Sequence, residues 1–341
     1  MGTAQSVEVE LLGLIDPLVS EVSGIIRTSD ARIFVIGDSG NPATLFELNE
    51  TGEIIHKIEI PQAVNMDWEE LQLDEYGTLF IGDIGNNLGY RTDLKIYRVT
   101  EFETKMNQDT IFNFETIHYT YSDQETNPLP DNNTSFDCEA MIVLNDQLHF
   151  FSKDHGNSGQ SKHYSLPTTA GSHMATLIDS LPRQSWITGA ALDHLHNMIY
   201  FVSDSSISSY NPVTKKQGAE ITINAFQLEG ICFYADNQFL LTEDTETEPE
   251  SHLYSLIIEA EGQMLSTIFP NPNDERILYA RSNAQINSIE IVDYLGKALI
   301  SQNWSRNIGS VHLNLHTIAS GTYLLRLITD LDVQVHKLIL R

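Results

Sequence analysis

Basic residues are scarce in this sequence. Nineteen Lys and Arg stand against forty-seven Asp and Glu in 341 residues, a formal net charge of −28. Phosphate recognition rests on Lys and Arg, so nucleic acid is not expected as a partner. Cysteine is scarcer still. Cys138 and Cys232 are the only two, too few for a disulfide framework, and both sit in apolar runs where an unpaired thiol behaves as a small hydrophobe. No apolar run approaches the ~18 residues that cross a bilayer as a helix; the longest early one, LLGLIDPLV, is broken by Asp16 and Pro17. The opening MGTAQSVEVE has neither a basic n-region nor an apolar h-region, so no signal peptide is expected within these residues. A G-x-S-x-G elbow, a zinc signature and a phosphate loop are all missing.

What is present is a folded composition with an uneven charge. Hydrophobic residues make up 41% and charged ones 19%, the balance of a protein with a packed core. Residues 266–341 carry seven basic and six acidic side chains, which leaves twelve and forty-one for the remainder. A boundary near residue 265 is visible in charge alone, and it divides the chain into domains at 1–262 and 266–341. An acidic first domain suits cation binding, or keeps an exported protein soluble.

The first domain repeats itself. The copies are EVSGIIRTSDARIFVIGDSGN from Glu21, DWEELQLDEYGTLFIGDIGNN from Asp67 and DCEAMIVLNDQLHFFSKDHGN from Asp137. ITGAALDHLHNMIYFVSDSS from Ile187 and QLEGICFYADNQFLLTEDTE from Gln227 complete the series. Each has a short apolar strand, a polar turn, a second apolar strand and an aspartate: Asp38, Asp83, Asp154, Asp204, Asp244. Their spacings of 45, 71, 50 and 40 residues, with further strand-like runs between, predict an all-β fold, a β-propeller. Five blades are expected, with six as the alternative, because the polar stretch SDQETNPLPDNNTS inside the longest interval has room to hide a degenerate blade. The fifth repeat has only HLYSLII after its pair. Its outer strand is expected from VEVELLG at residues 7–13, closing the ring by joining the two ends.

The tail opens FPNPNDERILYARSNAQINSIEIVDYLGKALISQNW and closes IASGTYLLRLITDLDVQVHKLILR. Alternating strands with turns at Pro270–Pro272, Gly296 and Gly321 predict a small Ig-like β-sandwich of about seven strands. Its Pro270-Asn271-Pro272 opening, the IEIVDYLGK strand and turn, the leucine-containing run at Gly321-Thr322-Tyr323, and the basic end with Lys337 and Arg341 resemble the type A C-terminal sorting domain of the Bacteroidetes type IX secretion system. That resemblance implies export through the type IX machinery, engaged by residues 266–341, and a secreted or outer-cell-surface location.

The chemistry is expected at one mouth of the propeller. Strand A of each blade starts on the face where strand B ends, so Glu69, Glu139 and Glu229 at strand-A starts should meet the repeat aspartates, Asp83 and Asp154 among them. Ser23 and Thr188 stand at the corresponding places of the other two blades. Crowded carboxylates raise one another's pKa unless a cation neutralises them, and Ca²⁺ takes about six to eight such oxygens. Glu69, Glu139, Glu229, Asp83 and Asp154 are therefore candidate calcium ligands, with Asn41, Asn86 and Asn157 as neutral donors. The aspartates have a plainer use as well, since Asp-x-Gly-Asn is a good tight turn. Lys153, with Asp154 and His155, falls at the same mouth and could bind an anionic group. His194 and His196 fall on the opposite face, and an H-x-H alone is weak evidence for a metal.

The blades are similar to calcium-dependent propellers of the regucalcin and gluconolactonase kind, whose Glu-Gly motif Glu229-Gly230 matches, while Glu69 and Glu139 match its glutamate. The N-terminal half also resembles a widespread group of bacterial propellers without an assigned activity. Two functions follow as expectations. One is a secreted module that binds a small molecule, glycan or protein; the other is a calcium-dependent hydrolase of lactones or phosphoesters.

Overall fold

The computed structural model describes residues 5–156, 158–182, 185–193, 198–212, 215–235, 237–245, 250–260, 266–282, 285–293, 297–304, 309–329 and 333–341. Asn157, His194, His196 and Gly296 lie outside them. The chain divides into two compact units, Ser6–Glu259 and one containing Ala260–Arg341.

The first unit opens with β1 (Gln5–Ile15) and then builds antiparallel sets of strands. The first set is β2 (Val22–Arg27), β3 (Ile33–Gly37), β4 (Thr44–Leu48) and β5 (Ile54–Glu59), hydrogen-bonded in that order. The second is β6 (Trp68–Leu73), β7 (Leu79–Asp83), β8 (Lys95–Val99) and, after the short helix α1 (Phe102–Lys105), β9 (Glu115–Tyr121). The third is β10 (Cys138–Leu144), β11 (Gln147–Ser152), β12 (Gln160–Pro167) and β13 (Gly171–Pro182). In the fourth, β14 (Gly189–Asp193), β15 (Met198–Ser203) and β16 (Ser206–Asn211) carry two short outer pieces, β17 (Lys216–Gln217) and β18 (Ile221–Thr222). The last is β19 (Leu228–Ala235), β20 (Gln238–Glu243) and β21 (Ser251–Ala260), and β1 pairs with β21 as its fourth strand. The expected closure of the two ends is thus what the fold uses.

The inner strands β2, β6, β10, β14 and β19 neighbour one another in a closed cycle, with β19 back against β2. This is a β-propeller. Its inner and middle strands are covered on both faces by adjacent blades, so they read as continuous apolar runs, IFVIG in β3 being buried throughout. Outer strands are covered on one face and alternate, as in IIHKIE of β5. The cores lie between blades: Phe34, Leu45, Trp68, Leu79 and Tyr97 pack together between the first and second sets. Both cysteines are buried and free. The segment 122–137 carries no strand; it folds over the 86–91 loop, with Asp131 N donating to Leu88 O at 2.8 Å. One pairing was not foreseen. The outer strands β9 and β13 run parallel and join the second and third sets into one eight-stranded sheet.

The second unit is a two-sheet β-sandwich. One sheet has β22 (Ser266–Phe269), β23 (Ile277–Ser282) and β26 (Ser310–Asn314); the other has β24 (Ile286–Val292), β25 (Ala298–Asn303), β27 (Gly321–Thr329) and β28 (Val333–Leu340). Leu278, Ile289, Leu313, Leu325 and Leu338 pack between them. The Pro-Asn-Pro turn has a structural purpose: Asn271 donates to Lys337 O at 2.7 Å and accepts from Ile339 N at 2.9 Å, clasping the last strand.

Candidate functional site

Alternation along a strand puts every second residue on one side. Each inner strand begins with the same four positions: Glu21-Val22-Ser23-Gly24, Asp67-Trp68-Glu69-Glu70, Asp137-Cys138-Glu139-Ala140, Trp186-Ile187-Thr188-Gly189 and Gln227-Leu228-Glu229-Gly230. The fourth position is where the inner strands crowd together. A side chain on Gly24 would meet the Glu70–Leu71 backbone, one on Gly189 the carbonyl of Glu229, and one on Gly230 that of Ser23. Four blades therefore carry Gly or Ala there, and only Glu70 is large. It is fully buried and crosses the ring, accepting from Leu71 N at 2.9 Å and from Ala190 N in β14 at 3.1 Å. Burial pushes its carboxyl well above the carboxylate range, against those hydrogen bonds. Glu70 is a plug on the axis, which the sequence did not reveal.

At the third position, the two hydroxyls tie neighbouring blades together. Ser23 Oγ donates to Trp68 O at 2.9 Å and Thr188 Oγ1 to Leu228 O at 2.5 Å. The three glutamates are instead brought near one another, Glu139 lying close enough to both Glu69 and Glu229 for their charges to interact. Glu139 Oε1 accepts from Lys153 Nζ at 2.6 Å, while its Oε2 is buried with no hydrogen-bond partner. Burial, Glu229 and Asp137 push Glu139 up, with Lys153 pulling against them. Glu229 accepts from Gln227 at 2.8 Å; burial raises it to about 7, opposed by Lys153. Glu69 is 7% exposed, and burial with Glu139, Asp67, Asp137 and Asp38 around it raises it well above its ordinary value. Lys153 is held charged by Glu139 and Glu229 although burial opposes this.

The repeat aspartates do not act as one set. Asp83 is fully buried and is neutralised within its own blade by Arg91 at 2.8 Å and Lys95 at 3.0 Å. Asp154 takes a left-handed backbone (φ 57°) and accepts from Ser158 Oγ at 3.0 Å and Gly159 N at 3.1 Å, an Asx-type turn. Both were expected as calcium ligands, and their carboxylates are engaged elsewhere. Asp38 does face the mouth: burial and Glu21, to which it hydrogen-bonds, raise it to about 8. Asp204 and Asp244 line the same cavity as Lys153 and Glu229, and their charges help raise Glu229. Asn41 and Asn86 brace loops, Asn41 donating to Ser20 O and Asn86 to Phe136 O. His155 pairs with buried Asp137 at 2.7 Å.

Several site residues escaped the sequence reading. The first inner-strand position supplies Asp67 and Asp137 on the side of the glutamates, and Trp186 in the fourth blade. Burial and Asp137 raise Asp67 to about 6, opposed by Arg91. The position before the repeat aspartate, where Lys153 was expected in the third blade, carries Glu243 in the fifth. Glu243 accepts from Phe226 N, from His252 at 2.6 Å and from Tyr254 at 2.5 Å; these hold it below its ordinary range against burial. The signal was the same one that found the glutamates, period-2 alternation read one step further back. Lys153, Trp186, Phe226, Glu229 and Glu243 border a cavity of about 500 Å³. Phe226 is 88% exposed and Trp186 37%, and Lys153 Nζ lies 5.9 Å from the Trp186 ring centre. A second cavity of about 470 Å³ opens beside Asp67, Tyr90 and Arg91. Among the described residues, no group of three or more His, Cys, Asp and Glu is arranged to hold a metal ion.

Residues 267–341 match the secretion system C-terminal sorting domain family. No curated protein sequence matches the chain. Among solved structures, the propeller of Myxococcus xanthus glutaminyl cyclase is similar at 11% identity and a TM-score of 0.49, over 76% of this chain and 99% of that one. The PQQ-bound aldose sugar dehydrogenase of Streptomyces coelicolor gives 10% and 0.44, over 75% and 99%. A gluconolactonase-like protein gives 9% and 0.43, over 74% and 92%. At these scores none lends this chain an activity. No helix among the described residues is long and apolar enough to cross a membrane.

Proposed function

We propose that this chain is an exported five-bladed propeller that binds a ligand at the mouth formed by Glu69, Glu139, Glu229 and Lys153. Five blades are supported by the closed cycle of inner strands and by the absence of strands in 122–137. Export through the type IX machinery to the medium or outer cell surface is supported by the sorting domain at 267–341. The observation that carries the binding role is the cavity of about 500 Å³, where exposed Trp186 and Phe226 stand over Glu229 and the Lys153 ammonium. Exposed aromatic rings beside fixed polar groups are the composition of a binding surface.

A calcium-dependent lactonase or phosphoesterase would use the same carboxylates. The donor set suits it less well, because Asp83 and Asp154 are engaged by their own neighbours and Lys153 already stands at Glu139 as counter-charge. Thermal unfolding with Ca²⁺ and then with chelator separates the readings. Coincident melts are expected; a calcium-dependent rise of several degrees favours the hydrolase.

The binding role is tested by screening small molecules, glycans and peptides by thermal shift on the full chain. A hit is expected to lose its shift in Trp186→Ala and in Glu229→Gln. Hits that survive both substitutions place the ligand elsewhere and overturn the proposal.

A further inference from the structure

Resting on the binding role just proposed, the chemistry of the ligand follows from which carboxylates at the mouth have a counter-charge. On one side the fold supplies its own ammonium. Lys153 Nζ is 2.6 Å from Glu139 Oε1 and 5.9 Å from the Trp186 ring centre. A carboxylate on one side and an aromatic face on the other is a favourable seat for an organic cation.

Across the mouth the equivalent acids have no such partner. Glu69 is 7% exposed, and no hydrogen bond or ion pair reaches its carboxylate among the described residues. Asp67 lies beside it, because a side chain on Gly85 would collide with both Glu69 Oε1 and Asp67 Oδ2. Glycine at that position lets both carboxylates close in on the backbone at residue 85. Asp38 Oδ1 is buried without a hydrogen-bond partner. The basic group nearest Asp67, Arg91, is already engaged with Asp83 at 2.8 Å and with Gly85 O at 2.7 Å. Ser39 hydrogen-bonds to Asp67 and Glu21 to Asp38, but buried acids left without a counter-charge of their own cost free energy, and an incoming cation removes that cost where a neutral sugar would not.

We propose that the mouth binds an organic ammonium ion, the amine of a free polyamine or of a lysine in a basic peptide, with its charge seated among Asp67, Glu69 and Asp38 and its carbon chain reaching toward Trp186 and Phe226. Lys153 is the protein's own example of that contact on the opposite side. Both sources share the chemistry of a primary ammonium on an apolar stem, and they differ only in what carries it.

Calorimetric titration of the full chain at physiological salt tests this, because diffuse attraction to an acidic surface is largely screened there. The probes are spermidine, a trilysine peptide and neutral maltotetraose. Both ammonium probes, or the peptide alone if its backbone is also recognised, are expected to bind, and the sugar to give no heat. Glu69→Gln and Asp67→Asn are each expected to weaken binding about tenfold or more, and Trp186→Ala severalfold. The melting temperatures of the Gln and Asn variants should not fall, since each removes one member of a crowded acidic group. Ammonium probes that do not bind, or bind Glu69→Gln as tightly as the parent, overturn the inference. Maltotetraose binding that Trp186→Ala abolishes, without ammonium binding, leaves the binding role standing and removes the ammonium. If the thermal-shift screen also finds no ligand, both fall together.

Discussion

Glu70 shows how much one side chain decides at the axis of this fold. Its neighbours in the ring are Gly24, Ala140, Gly189 and Gly230, so the space they leave holds one large residue. Glu70→Gln keeps the volume, but Leu71 N and Ala190 N reach different oxygens, so the amide nitrogen leaves one of these buried N–H groups without an acceptor and should cost ~1–3 kcal/mol. Glu70→Ala opens a void and strips two buried N–H groups of their acceptor, and should cost ~2–4 kcal/mol in urea unfolding. Equal stability of parent and Ala variant would refute the plug. The mouth residues predict an unusual pH dependence. Asp38, Asp67 and Glu229 have folded values raised to about 8, about 6 and about 7 from ordinary values of 3.8, 3.8 and 4.5. The folded state thus holds protons that the unfolded chain releases, so this contribution is fully present below pH about 4 and is lost as pH rises through 6 to 8. Glu243, held low, acts oppositely and loses its contribution as pH falls through its folded value. The melting temperature should therefore drop between pH 5 and pH 8. A flat or rising curve over that range would mean the acids of the mouth are already neutralised.

At the scale of elements, the decisive one is β1. It supplies the fourth strand of the last blade, and its residues pack into two cores: Val7 and Val9 beside Leu256 and Ile258, Ile15 beside Val22 and Leu253. Ile15 is fully buried, and Ile15→Ala should cost ~2–4 kcal/mol. Removing residues 1–15 should abolish the single cooperative melt, because β21 would become an unpaired edge and the ring would lose its closure. A truncated chain that melts like the parent would show that closure is dispensable. The sequence was most legible for inner and middle strands, where burial on both faces leaves an unmistakable apolar run. Outer elements were harder. The run AEITIN at residues 219–224 has the alternation of a full strand, but only Ile221–Thr222 of it pairs, as β18. The parallel meeting of β9 and β13 has no local signal, because each strand is half-exposed and its partner belongs to another blade.

For the whole molecule, the tail and the propeller each have their own core, and residues 1–262 should fold alone. A chain ending at residue 262 that is molten while the full chain melts cooperatively would put the boundary elsewhere. Deleting residues 266–341 should leave the protein inside the outer membrane of a type IX-secreting host; its appearance outside, by fractionation, would refute the address. The sequence by itself determined the repeat, hence a propeller. It also determined the sandwich and sorting motifs of the tail and the three glutamates on one side of the inner strands, because alternation and turn chemistry act over a few residues and can be read locally. Only the tertiary structure decided which acids are free to meet a ligand. Asp83 finds Arg91 and Lys95, Asp154 closes its own turn, Asp137 takes His155, and Glu70 reaches Ala190 on a strand 120 residues away. A carboxylate's charge state is set by burial and by every charge within a few ångströms, and in a closed ring those neighbours come from blades that are far apart along the chain.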